Sequence, residues 1–221
     1  ELAKVLQGAG RLAQVQADYA AARGLLDEGL AIMRQCGDRA GVTSSLNSLG
    51  TVALEQGDFA SARKLLEETL AIVRDLGDRG PIADVLCNLG NLAYYQCDYS
   101  SARALFEECL EIGQNQQLIA SALNGLGIVA CAQCDFHQAR ALYEKGLAIM
   151  RDLGDRGGAA VILSNLGDVD RELGNAVNAQ ALYLESMAIS RKLGDQRGLS
   201  DTLCSLGELA LDQDDFARAR Q

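Results

Sequence analysis

Cys131, Cys134 and His137 read as C-x-x-C-x-x-H, where thiols and an imidazole gather at metal-ligand spacing. A structural zinc site needs four ligands, and no fourth is evident beside this trio. A redox C-x-x-C would open a helix that follows a strand, and nothing in the chain reads as a strand. His137 is the only histidine, so general acid–base chemistry would lack a second base. Asp168, Asp170 and Glu172 form a carboxylate cluster, but alternate residues point to different sides of a helix and make no metal box. No phosphate-cradling G-x-x-x-x-G-K-[ST] loop occurs. The expectation is a protein that is not an enzyme, with no cofactor and no metal.

What must position these residues is a repeat. Gly10, Gly50, Gly90, Gly127, Gly167 and Gly207 lie 40, 40, 37, 40 and 40 residues apart. Each follows a leucine four residues earlier (Leu6, Leu46, Leu86, Leu123, Leu163, Leu203). Each precedes an alanine twelve residues later (Ala22, Ala62, Ala102, Ala139, Ala179, Ala219). A fixed period in this range marks a solenoid, whose units stack on their neighbours and offer long surfaces to partners.

One unit shows the plan. From Val42 to Gln56, apolar residues recur at helical spacing until Gly57-Asp58 breaks the pattern. Asp58 is a candidate N-cap for a second helix over about Phe59 to Leu76, which Gly77-Asp78 ends. The spacing predicts an all-α solenoid of antiparallel helix pairs, five full pairs and a partial sixth. The units run over about 1–39, 40–79, 80–116, 117–156, 157–196 and 197–221 of one array. The glycines each cost a helix about 1 kcal/mol, and close helix–helix approach is the expected compensation. The array starts inside a first helix and stops inside a second. It therefore reads as a segment of a larger protein, with uncapped apolar ends open to self-association.

The net charge of −10 argues against nucleic acid as a partner, since phosphate binding needs clustered Lys and Arg. No apolar run reaches the roughly 20 residues that span a bilayer, so no membrane partner is expected. The seven cysteines are scattered through the repeat and read as small, reduced core residues, which points to the cytoplasm.

These positions resemble the tetratricopeptide repeat, whose pattern runs W-x₂-L-G-x₂-Y, then A-x₃-F, then a small residue and Pro. Leu46, Leu49-Gly50, Ala53, Ala62, Leu66 and Thr69 occupy those slots in the second unit. The final proline is replaced by Arg34, Arg74, Gln114, Arg151 and Arg191, and the unit is longer by about six residues, expected between helix pairs. Such lengthened units are similar to those of kinesin light chains, spindle-orientation adaptors and bacterial signalling ATPases of the STAND class.

The resemblance implies a right-handed α-solenoid with a concave groove lined by first helices, and a role as a protein- or peptide-binding scaffold. A regulatory, ligand-sensing module of a signalling ATPase or transcription regulator is the alternative, and a self-assembling array is another. Carried over residue by residue, the groove holds Asn47, Asn88, Asn91, Asn124 and Asn165, a row of amides able to bond a peptide backbone. It also holds Glu55, Asp168, Arg171 and Glu172, in a predominantly acidic set that favours a basic or amphipathic partner. Tyr94 and Tyr95 are candidate aromatic anchors, with Tyr94 expected to face the groove.

Overall fold

Aspartate and glycine set where the helices start and stop. In the computed structural model, which describes residues 1–212, Asp18, Asp58, Asp98 and Asp135 each cap a second helix. Their carboxylates accept from the backbone N–H three residues on. The residue before each of these caps takes a left-handed turn, at Ala17, Gly57, Cys97 and Cys134, as does Gly174 before Asn175, whose side chain makes no cap bond. At the other end, Gly37, Gly77, Gly154 and Gly194 close the second helices in the same left-handed conformation, where the missing Cβ removes the strain.

Residues Glu1–Gln114 form one compact unit and Asn115–Gln221 another. The first contains α1 (Leu2–Val15), α2 (Tyr19–Cys36), α3 (Arg39–Glu55), α4 (Phe59–Leu76), α5 (Arg79–Tyr95) and α6 (Tyr99–Ile112). The second contains α7 (Gln116–Ala132), α8 (Phe136–Leu153), α9 (Arg156–Glu172), α10 (Ala176–Leu193) and α11 (Gln196–Asp212). Among the described residues every regular element is a helix. Within each unit, each helix packs on the next, and first helices touch the following first helix, as an α-solenoid requires. Asp215, Phe216 and Ala219 of the sixth pair lie outside the described residues.

Two expectations need correction. The residues that lengthen the unit do not sit between helix pairs. After Gly77 only Asp78 intervenes before α5 begins at Arg79, so the extra length has become helix. The cause is the Asp of the Gly-Asp link, which caps the next helix. Asp38, Asp155 and Asp195 accept from Gly41, Gly158 and Gly198 N–H. In the shortest repeat α6 stops at Ile112, Gly113 is extended, and Asn115 takes the capping role.

Gly10, Gly50, Gly90, Gly127 and Gly167 face large side chains first, and at Gly10 the Ala22 carbonyl lies beside the side chain. A Cβ at Gly127 would lie 2.4 Å from the Tyr143 ring, and one at Gly167 equally close to Tyr183. Leu26, Leu66 and Phe106 sit in the same way over Gly10, Gly50 and Gly90. The large residue sixteen positions on, in the second helix, fills the notch that the glycine leaves in the first. Backbone approach occurs at the other small position. Gly29 lies against the Ala3 carbonyl and Gly146 against the Ala120 carbonyl.

Candidate partner-binding faces

In the first unit, α1, α3 and α5 present polar side chains along one face. The repeat sets these faces side by side, so polar side chains of one first helix bond to those of the next. Gln7 donates to the Ser45 hydroxyl at 3.2 Å, Arg11 to Ser44 at 3.1 Å, and Gln14 to Thr51 and Glu55 at 3.2 Å. An open groove of about 380 Å³ runs over this face, lined by Arg11, Asn47, Thr51, Glu55, Asp84 and Asn88, among others. Asp84 is half-buried, and desolvation raises its pKa despite the nearby Arg11 and a bond from Asn47. A carboxylate held in that state attracts a cation strongly.

The amide row is a set of pairs. Asn88 Nδ2 donates to Asn47 Oδ1 at 2.9 Å, and Asn47 Nδ2 to Asp84 Oδ2 at 2.7 Å. In the second unit, Asn165 Nδ2 donates to Asn124 Oδ1 at 2.8 Å. Both pairs are 41 residues apart because Asn alternates between adjacent repeat positions, so amides meet diagonally. Asn88 and Asn165 each use one N–H this way and retain a carbonyl and a second N–H. Asn91 is half-buried on α5. Gln14 and Ser48, absent from the groove set drawn from the sequence, line the first unit's groove. The 37-residue step from Gln14 to Thr51 was the signal that could have found the former.

The tyrosines divide differently from expectation. Tyr95 is the outward ring, 56% exposed and stacked on Phe59 with centroids 6.1 Å apart. Tyr94 is half-buried, edge-on to Tyr95 and tilted against Tyr99. Tyr95 ends α5 and Phe59 begins α4, so the pair closes the rim of the turn.

In the second unit the carboxylate cluster separates as its spacing requires. Asp168 accepts from the Tyr183 hydroxyl at 2.7 Å, and desolvation raises its pKa. Glu172 is exposed and pairs with Arg171 at 3.5 Å. Arg171 also pairs with Glu208 and, at 3.8 Å, with Asp212 on α11. Asp170 turns the other way, into the core.

The cysteines are not uniformly core residues, contrary to expectation. Cys87 and Cys109 are buried thiol to thiol, 2.9 Å apart across α5 and α6, and the contact with burial pushes the Cys87 thiol up. Cys36, Cys97, Cys134 and Cys204 are exposed, the first three because they fall at helix ends and turns. Cys131 lies 3.8 Å from the Tyr143 hydroxyl, Cys134 is a turn residue, and His137 is exposed on α8. Among the described residues no three His, Cys, Asp or Glu side chains are arranged to hold a metal ion. No described helix is long and apolar enough to cross a membrane.

A family model described as the tetratricopeptide repeat matches residues 1–75, 41–115, 118–176 and 158–221. No curated protein matches the chain closely enough to count as a relative. Solved structures are similar in fold. A Rap protein complexed with Competence and Sporulation Factor superposes with a TM-score of 0.79 at 12% identity, over 97% of this chain and 71% of that one. A putative kinesin light chain from Podosopora anserina gives 0.61 at 18% identity, over 88% and 96%. A STAND protein with a tetratricopeptide repeat sensor from Pyrococcus horikoshii gives 0.75 at 15%, over 98% of this chain and 33% of that one.

Proposed function

Because the chain belongs to the tetratricopeptide-repeat family, we propose that it is a scaffold holding an extended, basic or amphipathic protein segment against its first-helix faces. The observation that carries this reading is the groove over α1, α3 and α5. There Glu55 and the desolvated Asp84 stand beside amides that keep spare bonding capacity. Desolvated carboxylates select a cationic side chain, and Asn carbonyl and N–H groups accept any peptide backbone. In the second unit, Asn124, Asn165, Asp168, Arg171 and Glu172 offer the same chemistry beside the exposed Val161, which suits an amphipathic segment. The structure of Rap with Competence and Sporulation Factor supports the reading by analogy of fold. Nothing in it calls for catalysis.

The test is fluorescence anisotropy with a labelled peptide alternating Lys and Leu, against its Glu–Leu counterpart. The Lys peptide binds, the Glu peptide does not, and added salt weakens binding. The pair Asp84→Asn with Glu55→Gln lowers affinity about tenfold, as expected for losing bonds to charged groups. Equal binding of both peptides, or unchanged affinity in the double variant, rejects the acidic groove. Asn91→Ala and Tyr95→Ala, read in the same assay, decide whether those two residues contribute.

A further inference from the structure

Between α9, α10 and α11 a cavity of about 190 Å³ opens where three core positions have turned from mostly apolar to hydroxyl. Ser190 stands where earlier repeats have Met33, Val73 and Met150. Thr202 stands where they have Ser45, Val85, Ala122 and Ile162, and Ser186 where they have Gly29, Thr69, Cys109 and Gly146. All three hydroxyl residues are nearly fully buried, at 1%, 1% and 2% exposure for Ser190, Thr202 and Ser186. No other unit has hydroxyls at all three places.

Carboxylates and hydroxyls make up most of the polar wall. Ser186 donates to the Ala160 carbonyl and Thr202 to the Gly198 carbonyl, both at 2.8 Å, and the two hydroxyl oxygens lie 3.3 Å from each other. Ser190 lines the cavity at 1% exposure, and no buried side-chain polar atom among the described residues is left without a hydrogen-bond partner. Asp195 uses Oδ1 to cap α11 through Gly198 N–H. Its Oδ2 and Ser190 Oγ both crowd the point where Gly198 lacks a Cβ, 2.4 and 2.8 Å from it. Asp168 uses Oδ1 on Tyr183, and Asp201 completes the lining on α11. The site therefore offers carboxylates and the hydroxyls of Ser164, Ser186, Ser190, Thr202 and Ser205, and it lacks cationic side chains in its lining.

We propose that this cavity takes a primary alkylammonium, the end of a lysine side chain. An ammonium carries three donors and no acceptor, the complement of this wall. A four-carbon stem fits the space, and Asp168 and Asn165 place its mouth on the face formed by the first helices. The proposal deepens the scaffold reading, and rests on it, by naming where one lysine of the partner segment inserts.

The test is heteronuclear NMR of the whole chain titrated with n-butylammonium, with n-butanol as the uncharged control. The ammonium shifts the Ser190, Gly198 and Thr202 amides saturably, and butanol does not. Ser190→Met, which restores the side chain of the first and fourth repeats, fills the cavity. It weakens that titration by about tenfold or more, the loss of a charge-assisted hydrogen bond. Absence of saturable shifts in the wild type, equal shifts with butanol, or an unchanged titration in Ser190→Met each overturns the pocket. Should the Lys–Leu peptide bind while butylammonium does not, the pocket falls and the groove reading stands. Should butylammonium bind while the peptide does not, the groove reading falls and the pocket stands.

Discussion

Arg140 on α8 reaches the Asp170 carboxylate on α9, which is wholly buried, and bonds it together with Asn175 and Asn178. Ala13, Ala53, Ala93 and Ala210 occupy this slot in other repeats. The turn aromatic found as Tyr19, Phe59, Tyr99 and Phe136 is here Ala176. The changes belong together. Ala176 leaves space beside the turn, the guanidinium enters, and Asn175 turns its amide to Asp170 instead of capping α10.

This arrangement sets an order of stabilities. Arg140→Ala strands a buried carboxylate and costs about 3–5 kcal/mol. Asp170→Ala restores the residue of the other repeats and leaves Arg140 able to reach solvent, so it costs less. Urea denaturation of both variants measures the order, and a larger loss for Asp170→Ala contradicts the account.

A period glycine and a glycine outside the repeat pattern respond oppositely. Gly127→Ala drives a Cβ to within 2.4 Å of the Tyr143 ring and destabilises by about 1–3 kcal/mol, the range for overpacking. Gly24 lies in α2, and a Cβ added there would meet no atom within 4 Å, so Gly24→Ala gains roughly 0.5–1 kcal/mol of helix propensity. Thermal melts of the two variants should move in opposite directions. A rise in melting temperature for Gly127→Ala would show that the ring is free to move aside.

Much of this was legible from spacing. The 40-residue period gave the helix pairs, and Asp58 was identifiable as a cap because a turn glycine precedes it and an apolar run follows. What each glycine faces was not legible, since periodicity marks a small residue without saying whether backbone or ring fills the notch. The amide row was visible as residue types. Its pairing depends on a one-position alternation that meets diagonally only once the helices are packed. The hydroxyl cavity was hidden for the opposite reason. Ser186, Ser190 and Thr202 look ordinary one at a time and become a site only when three separate columns converge.

Two aspartates of the second unit give opposite pH signatures. Hydrogen bonds from Gly158 N–H and then Gln117 lower the Asp155 pKa from its ordinary 3.8. Its contribution is therefore complete above 3.8 and fades as pH falls through the lowered value. Burial raises the Asp168 pKa above the same ordinary 3.8. Its ionisation therefore costs nothing below 3.8 and opposes folding once pH passes the raised value. Asp155→Ala loses about 1 kcal/mol at pH 7, the size of a helix cap, and the loss shrinks on acidification. Asp168→Asn gains stability at pH 7, keeps an acceptor for Tyr183, and loses its advantage below 3.8. Denaturation midpoints at several pH values separate the two, and parallel profiles would refute the assignment.

The arginines in place of the family's proline pair at a constant step. Arg34 meets Glu68, Arg74 meets Glu108 and Arg151 meets Glu185, at 2.9, 2.9 and 2.8 Å. These side chains are about half exposed, so Arg74→Ala costs less than about 1 kcal/mol. Arg74→Pro is a different matter, although it restores the family's residue. Here α4 continues through Leu76 to a left-handed cap at Gly77, so position 74 is still inside the helix. A proline there removes a backbone bond and clashes with the preceding turn, which costs about 3 kcal/mol. Chemical denaturation distinguishes the two substitutions. Equal stability of Arg74→Pro and Arg74→Ala would mean that the last turn of α4 is not held as a helix, and the lengthened second helix would have to be redrawn.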